Sequence, residues 1–126
     1  MSKILSVEDE PAIANLIRLE LEEAGYDVIQ ANNRKKALEK VAERPDLILM
    51  DIGLGSNTQE GWEINRLLKL DEATASIPVI ALTAHAQQVE HRERALREGF
   101  VEHVIKPIDF DHLLELIAAV LGSKGL

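Results

Sequence analysis

Four apolar residues in unbroken succession, Leu47-Ile48-Leu49-Met50, run into a carboxylate at Asp51, and no other stretch constrains the fold as strongly. With Pro45 before it and Gly53 and Gly55 after it, such a run reads as a strand covered on both faces, the mark of a parallel sheet. Asp51 then stands at the strand's carboxyl end, the edge at which open α/β sheets take up ligands. For one acid considered alone, a loop-capping role is the plainer alternative.

Three further strands shift that balance. Lys3-Ile4-Leu5-Ser6-Val7 runs into Glu8-Asp9-Glu10, Pro78-Val79-Ile80-Ala81-Leu82 ends on Thr83, and Val104-Ile105 ends on Lys106-Pro107. If these strands are parallel neighbours, acids, a hydroxyl and an amine meet along one edge of the sheet.

Between the strands the apolar spacing turns helical. Ile13, Leu16, Ile17 and Leu21 predict a helix over Pro11 to Ala24, with Pro11 in its first turn and Gly25 as its stop. Tyr26 to Ile29 reads as a second strand, and Asn32 or Asn33 can cap a helix whose inner stripe is Ala37, Leu38 and Val41. Residues 52–60 are loop by composition, after which Ile64, Leu67 and Leu68 mark a third helix. The segment from Gln87 to Glu98 is polar, its apolar positions being only Val89, Ala95 and Leu96, so it is expected to pack least firmly. A last helix spans Phe110 to Leu121, with Leu113, Leu114, Ile117 and Val120 inward. Strand and helix alternate five times, as right-handed crossovers require, giving a doubly wound five-stranded parallel α/β sheet.

At 126 residues, 46% apolar, the chain is the size of one domain; residues 1–121 are expected to form the folded core and 122–126 a short tail, with no output domain. There is no cysteine, hence no disulfide framework and no thiolate metal site. No apolar run approaches the roughly 20 residues that span a bilayer, and the expected location is cytoplasmic, without membrane association. A net charge of −8 argues against direct binding to nucleic acid. Arg34-Lys35-Lys36 and His91-Arg92-Glu93-Arg94 read as solvated helix faces.

The order of these features resembles the receiver domain of two-component response regulators along essentially the whole chain: paired acids after strand one, Asp51 after strand three, Thr83-Ala84 after strand four and Lys106-Pro107 after strand five. Gly25-Tyr26, Pro45-Asp46, Gly61 at the opening of the third helix, and Ala95-Leu96-Arg97-Glu98-Gly99 fit the same pattern. The resemblance implies a flavodoxin-like strand order 2-1-3-4-5 with five helices, and a phosphorylation-switched signalling module. The expected phosphoryl donor is a sensor histidine kinase or a histidine phosphotransferase, and the signal passes on by docking to a downstream protein. The chain is expected to be a monomer or a weak phosphorylation-dependent dimer.

Glu8, Asp9 and Asp51, if they converge, are like charges that repel at a partly buried edge, and a hard divalent cation with oxygen ligands is the expected compensation. Magnesium fits best. The resemblance implies that Asp9 and Asp51 bind it directly, Glu8 through water, and Gly53 by its backbone carbonyl. It further implies that Asp51 is the nucleophile that accepts the phosphoryl group, that Lys106 neutralises the transferring oxygens, and that Thr83 hydrogen-bonds one of them. Ala84 keeps the approach open, Gly53 and His85 modulate water's access to the acyl phosphate, and Pro107 constrains the backbone, where a cis peptide is possible. His103 occupies the place of the family's aromatic switch residue. Leu19, on the solvent side of the first helix, is expected to form a docking patch with Pro107 and Ile108.

Three departures from the family pattern stand out. Glu8 replaces a more usual Asp, the loop after Leu54 is about two residues longer with Gly55 where Pro is common, and His103 replaces a phenol or phenyl ring. Two other functions use the same chemistry or fold. A magnesium-dependent phosphohydrolase with an aspartyl-phosphate intermediate needs an acid two residues after the nucleophile, where this chain has Gly53, so the chain is expected not to be an enzyme beyond self-phosphorylation and self-dephosphorylation. A constitutive docking domain would have no need of the full residue set.

Overall fold

The computed structural model describes residues 2–52, 60–83 and 88–124. Strands β1 (Lys3–Val7), β2 (Asp27–Ala31), β3 (Leu47–Asp51), β4 (Val79–Thr83) and β5 (Glu102–Ile105) alternate with helices α1 (Pro11–Glu23), α2 (Arg34–Lys40), α3 (Glu60–Leu70), α4 (Gln88–Arg97) and α5 (Phe110–Lys124). All the pairings are parallel, in the order β2-β1-β3-β4-β5, so the doubly wound sheet and its strand order are as expected.

Side chains alternate across each strand, and that alternation makes two cores. Ile48 and Met50 join Leu5, Val7, Val79 and Ala81 beneath α2, α3 and α4, where Ala37, Trp62, Ile64, Leu68 and Ala95 meet them. Leu47 and Leu49 join Ile4, Ile80, Leu82 and Val104 beneath α1 and α5, against Ile17, Leu21, Leu113 and Ile117. Every residue of β3 and β4 is buried, which is why the sequence of β3 reads as an unbroken apolar run rather than an alternating one.

The helix ends follow local chemistry. Pro11 opens α1, where its missing N–H removes a donor that would otherwise be unsatisfied. The Asn33 side chain accepts from the Lys36 N–H at 2.9 Å and so caps α2, deciding between the two asparagines. Gly25 and Gly99 follow α1 and α4 with φ of +99° and +94°, left-handed conformations that suit glycine.

Several expectations are corrected. β2 begins at Asp27 and runs on to Ala31, not Tyr26 to Ile29, and α2 ends at Lys40 in a turn of 3-10 helix over Val41–Glu43. α5 continues through Gly122 to Lys124, past the expected end at Leu121. Leu16, Leu38 and Leu67 lie outside the core, at 47%, 37% and 38% exposure. In α1 and α3 the inward line runs through positions four apart, Ile17 with Leu21 and Ile64 with Leu68, and a residue three along falls about 60° to one side of that line. Ala95 is the one fully buried side chain among those described in α4, as its sparse apolar pattern implies. No described helix is long and apolar enough to cross a membrane.

Candidate functional site

β1 and β3 are neighbours from which the chain leaves in opposite directions, toward β2 and toward β4, so a crevice opens at their carboxyl ends. Glu8 follows the last residue of β1, and Asp51 is the last residue of β3, one position beyond the Val7–Met50 pair. Carboxylate oxygens of Glu8, Asp9 and Asp51 come together there, all within 4.8 Å of one another. Glu8 and Asp51 are buried at 2% and 5% exposure, while Asp9 is exposed. A cavity of about 310 Å³ opens at Glu8 and Asp9, lined also by Asn15, Gln30, Asn32 and Lys36.

β5 delivers the counter-charge. Lys106 Nζ donates to Glu8 Oε1 at 2.8 Å and to Asp51 Oδ2 at 3.1 Å, and the Lys106 N–H donates to the Thr83 carbonyl at 2.7 Å. The peptide bond between Lys106 and Pro107 is cis. Burial first, then the neighbouring Asp51, pushes the Glu8 carboxyl up to about 7, against the opposing pull of Lys106. For Lys106 burial works downward, but the hydrogen bond to Glu8 and the two negative charges outweigh it and hold the ammonium above the usual lysine range.

Thr83 ends β4 one strand away from Asp51 and is buried at 2% exposure. His103 is half-buried on β5, paired in register with Ala81 and on the strand face opposite Val104. Gly53, Gly55, Ala84 and His85, expected at the site or beside it, lie outside the described residues. The crevice therefore gathers Glu8, Asp9, Asp51 and Lys106, with Thr83 at the next strand end.

Two features had no signal of this kind in the sequence. Gly61, in the first turn of α3, sits directly on the backbone of the site strand: a Cβ there would lie 2.5 Å from the Asp51 carbonyl oxygen and 2.5 Å from Ile52 Cα. Gly61 matches a motif, yet the motif does not reveal what it touches. Beside Pro107 and Ile108 an apolar groove of about 170 Å³ is lined by Ile13, Leu16 and Phe110. Leu19 is exposed on α1, as expected, but is not among the groove's lining residues.

Three oxygen donors beside a lysine, at the carboxyl edge of a parallel sheet, can hold a hard cation and present an aspartate to an electrophile. The family model described as the response regulator receiver domain matches residues 4–118. The chain is 36% identical over 122 residues to the DNA-binding dual master transcriptional regulator RpaA of Synechocystis, covering 96% of this chain and 49% of that protein. To the polar-differentiation response regulator DivK of Brucella anthropi it is 39% identical, covering 95% of this chain and 96% of DivK. The chain thus spans about half the length of RpaA and nearly all of DivK. Among solved structures, the receiver domain of the sensor histidine kinase PA1611 of Pseudomonas aeruginosa PAO1, described with a magnesium ion coordinated in its active-site cleft, is similar at a TM-score of 0.84 and 31% identity, covering 96% of this chain and 98% of that one.

Proposed function

Because the chain belongs to the response regulator receiver domains, which are phosphorylation-switched signalling modules, we propose that Asp51 is the residue that takes the phosphoryl group. The observation that carries this reading is the convergence of Glu8, Asp9, Asp51 and Lys106 at one strand edge. An Asp51 oxygen attacks the phosphorus of a phosphohistidine on a sensor kinase or phosphotransferase. The new O–P bond forms as the P–N bond to the imidazole breaks, leaving an acyl phosphate on Asp51 and a neutral histidine on the donor once a proton is taken up.

The donor set suits magnesium: carboxylate oxygens only, two of the three acids buried, and more negative charge than one lysine offsets. Glu8, Asp9 and Asp51 would hold the ion, with Gly53 as a further ligand, and the bound ion would offset the charge on the transferring oxygens. The magnesium in the related PA1611 receiver domain supports the choice of metal. Lys106 is already placed against Asp51 and, as a fixed cation, neutralises charge where it develops. Thr83, at the end of the next strand, supplies a hydroxyl to a phosphoryl oxygen. His103 serves as the inward-turning switch ring, Ala84, being small, keeps the donor's approach open, Gly53 and His85 modulate water's access to the acyl phosphate, and Pro107 constrains the backbone after Lys106.

The residues form a single receiver unit that acts in the cytoplasm through a donor and a downstream protein partner. A turning-over phosphohydrolase is disfavoured because position 53 is glycine, and a constitutive docking role because the phosphoacceptor set is complete. Intact-mass spectrometry after incubation with acetyl phosphate and magnesium tests the assignment. One phosphoryl adduct is expected, lost in Asp51→Asn; an adduct that persists in that variant would refute it.

A further inference from the structure

Outside the acidic crevice, a polar cluster among the described residues joins α3 to the end of α4. The Glu98 carboxylate accepts from Arg66 Nε at 2.8 Å, from Arg66 Nη2 at 3.2 Å and from Arg94 Nε at 2.7 Å. Its backbone carbonyl accepts from Nδ2 of the fully buried Asn65 at 2.7 Å. The Arg94 guanidinium lies 4.0 Å from the centre of the Trp62 ring, and Trp62 meets Phe100 edge-on, with ring centres 5.5 Å apart and planes at 87°. Trp62 directly follows Gly61, the residue seated on the Asp51 carbonyl.

A continuous series of contacts therefore leads from the backbone of Asp51 to the last turn of α4. It has little slack. Gly61 has no side chain to absorb a displacement of Asp51, Trp62 is enclosed at 2% exposure, and Arg94 shares its acceptor with Arg66. The member taken to move is Arg94, half-buried, stacked on the Trp62 ring and paired with the Glu98 carboxylate.

We infer that the state of Asp51 reaches α4 through α3, by the contacts Asp51–Gly61, Trp62–Arg94 and Arg94–Glu98, alongside any route through Thr83 and His103. The inference rests on the reading of Asp51 as phosphoacceptor. A shift of the first turn of α3 carries the Trp62 ring with it, and Arg94 then either keeps its stacked position or leaves it. A partly exposed cation–π contact puts the resulting bias between the two states at about twofold to thirtyfold.

Trp62 is the one tryptophan of the chain, so its emission reads this contact directly. The experiment adds magnesium and beryllofluoride to the whole chain, follows bound fluoride by 19F NMR, Trp62 by fluorescence and residues 92–98 by amide hydrogen exchange. Wild type is expected to bind fluoride, change its Trp62 emission and change exchange in α4. Arg94→Met, with its fold checked by melting, is expected to bind fluoride and show a smaller exchange change than wild type. Arg94→Lys, which keeps the charge without the flat stack, is expected to give the same reduction. Bound fluoride with unchanged Trp62 emission, or an α4 exchange change in both Arg94 variants equal to wild type, overturns the inference alone. Absence of bound fluoride in wild type overturns the reading of Asp51 and the inference with it.

Discussion

Lys106 Nζ lies 2.8 Å from Glu8 Oε1, closer than the 3.1 Å that separates it from Asp51 Oδ2. The lysine is therefore counter-ion to the whole acidic pair and not to Asp51 alone. Removing it leaves two buried carboxylates without a cation, a change that costs about 3–5 kcal/mol when a buried partner is lost, less where a proton can take its place. Lys106→Met is thus expected to destabilise the metal-free protein strongly at pH 8 and weakly at pH 5, where Glu8 carries its own proton. Urea melts at the two pH values test this; an equal loss at both would contradict it.

The raised Glu8 carboxyl gives the wild-type protein a pH dependence of its own. Its value in the folded protein is about 7 against 4.5 unperturbed, so between those values the folded chain binds more protons than the unfolded one. Stability of the metal-free protein then falls as pH rises from about 4.5 to 7, by about 3 kcal/mol at most, since each tenfold change in proton affinity is worth about 1.4 kcal/mol. Glu8→Gln is expected to flatten that slope. Magnesium affinity moves the other way, strengthening as pH rises through 7, because the proton on Glu8 must leave before its oxygens can serve the cation. Calorimetric titration with magnesium at pH 6 and pH 8 reads the sign.

The residues of the site are legible in the sequence because each ends a short apolar run, and a parallel sheet brings such ends to one edge whatever lies between them. Glu8, Asp51, Thr83 and Lys106 need only the strand assignments. Their pairings are less visible: Glu8 meets Lys106 across 98 positions, and nothing local marks Glu8 as the nearer acid. Arg66 on α3 and Glu98 just past α4 pair across 32 positions, in segments whose polar residues look like ordinary surface. Periodicity locates the buried stripes through Ile17, Ala37 and Ile64 but not their edges, and so it turns Leu16, Leu38 and Leu67 inward where the structure leaves them outside.

Gly61 carries a close approach that only the backbone shows. A Cβ 2.5 Å from the Asp51 carbonyl oxygen and from Ile52 Cα cannot be accommodated by rotating a side chain, since both neighbours are main chain. Gly61→Ala is expected to cost about 1–3 kcal/mol as the first turn of α3 lifts from the strand. It is also expected to slow phosphorylation by acetyl phosphate, because the moved backbone carries Asp51. Gly122→Ala, where a Cβ meets nothing, is the matched control; as a helix position it is expected to hold or raise stability and to leave the phosphorylation rate unchanged.

Glu98 is held by two guanidinium groups that outweigh its partial burial and keep its carboxyl below the usual range. Its contribution to stability is therefore present above the unperturbed value of 4.5 and is lost as pH falls through the lower, folded value. Glu98→Gln is expected to cost about 1 kcal/mol at pH 7 and less near pH 3. Thermal melts of the two proteins at both pH values check this, and a constant difference would argue that Glu98 acts by packing alone.

The apolar groove beside the site bears on how a donor protein reaches Asp51. Ile13, Leu16, Ile108 and Phe110 line it together with Lys106 and Pro107, so a helix laid across it would come to rest next to the lysine that touches Asp51. Leu16 is 47% exposed, which leaves it able to contact a partner and lets it be changed without opening the core. Leu19 is equally exposed, at 49%, but does not line the groove. Leu16→Asp is accordingly expected to slow phosphotransfer from the cognate phosphohistidine protein by roughly tenfold or more, the cost of a charge at the centre of an apolar contact. Leu19→Asp is expected to have a smaller effect. Phosphorylation by acetyl phosphate, which needs no docking, is expected to proceed at the wild-type rate in both. Equal sensitivity of protein and small-molecule donors to Leu16→Asp would place the defect in the site itself and remove the groove from donor recognition.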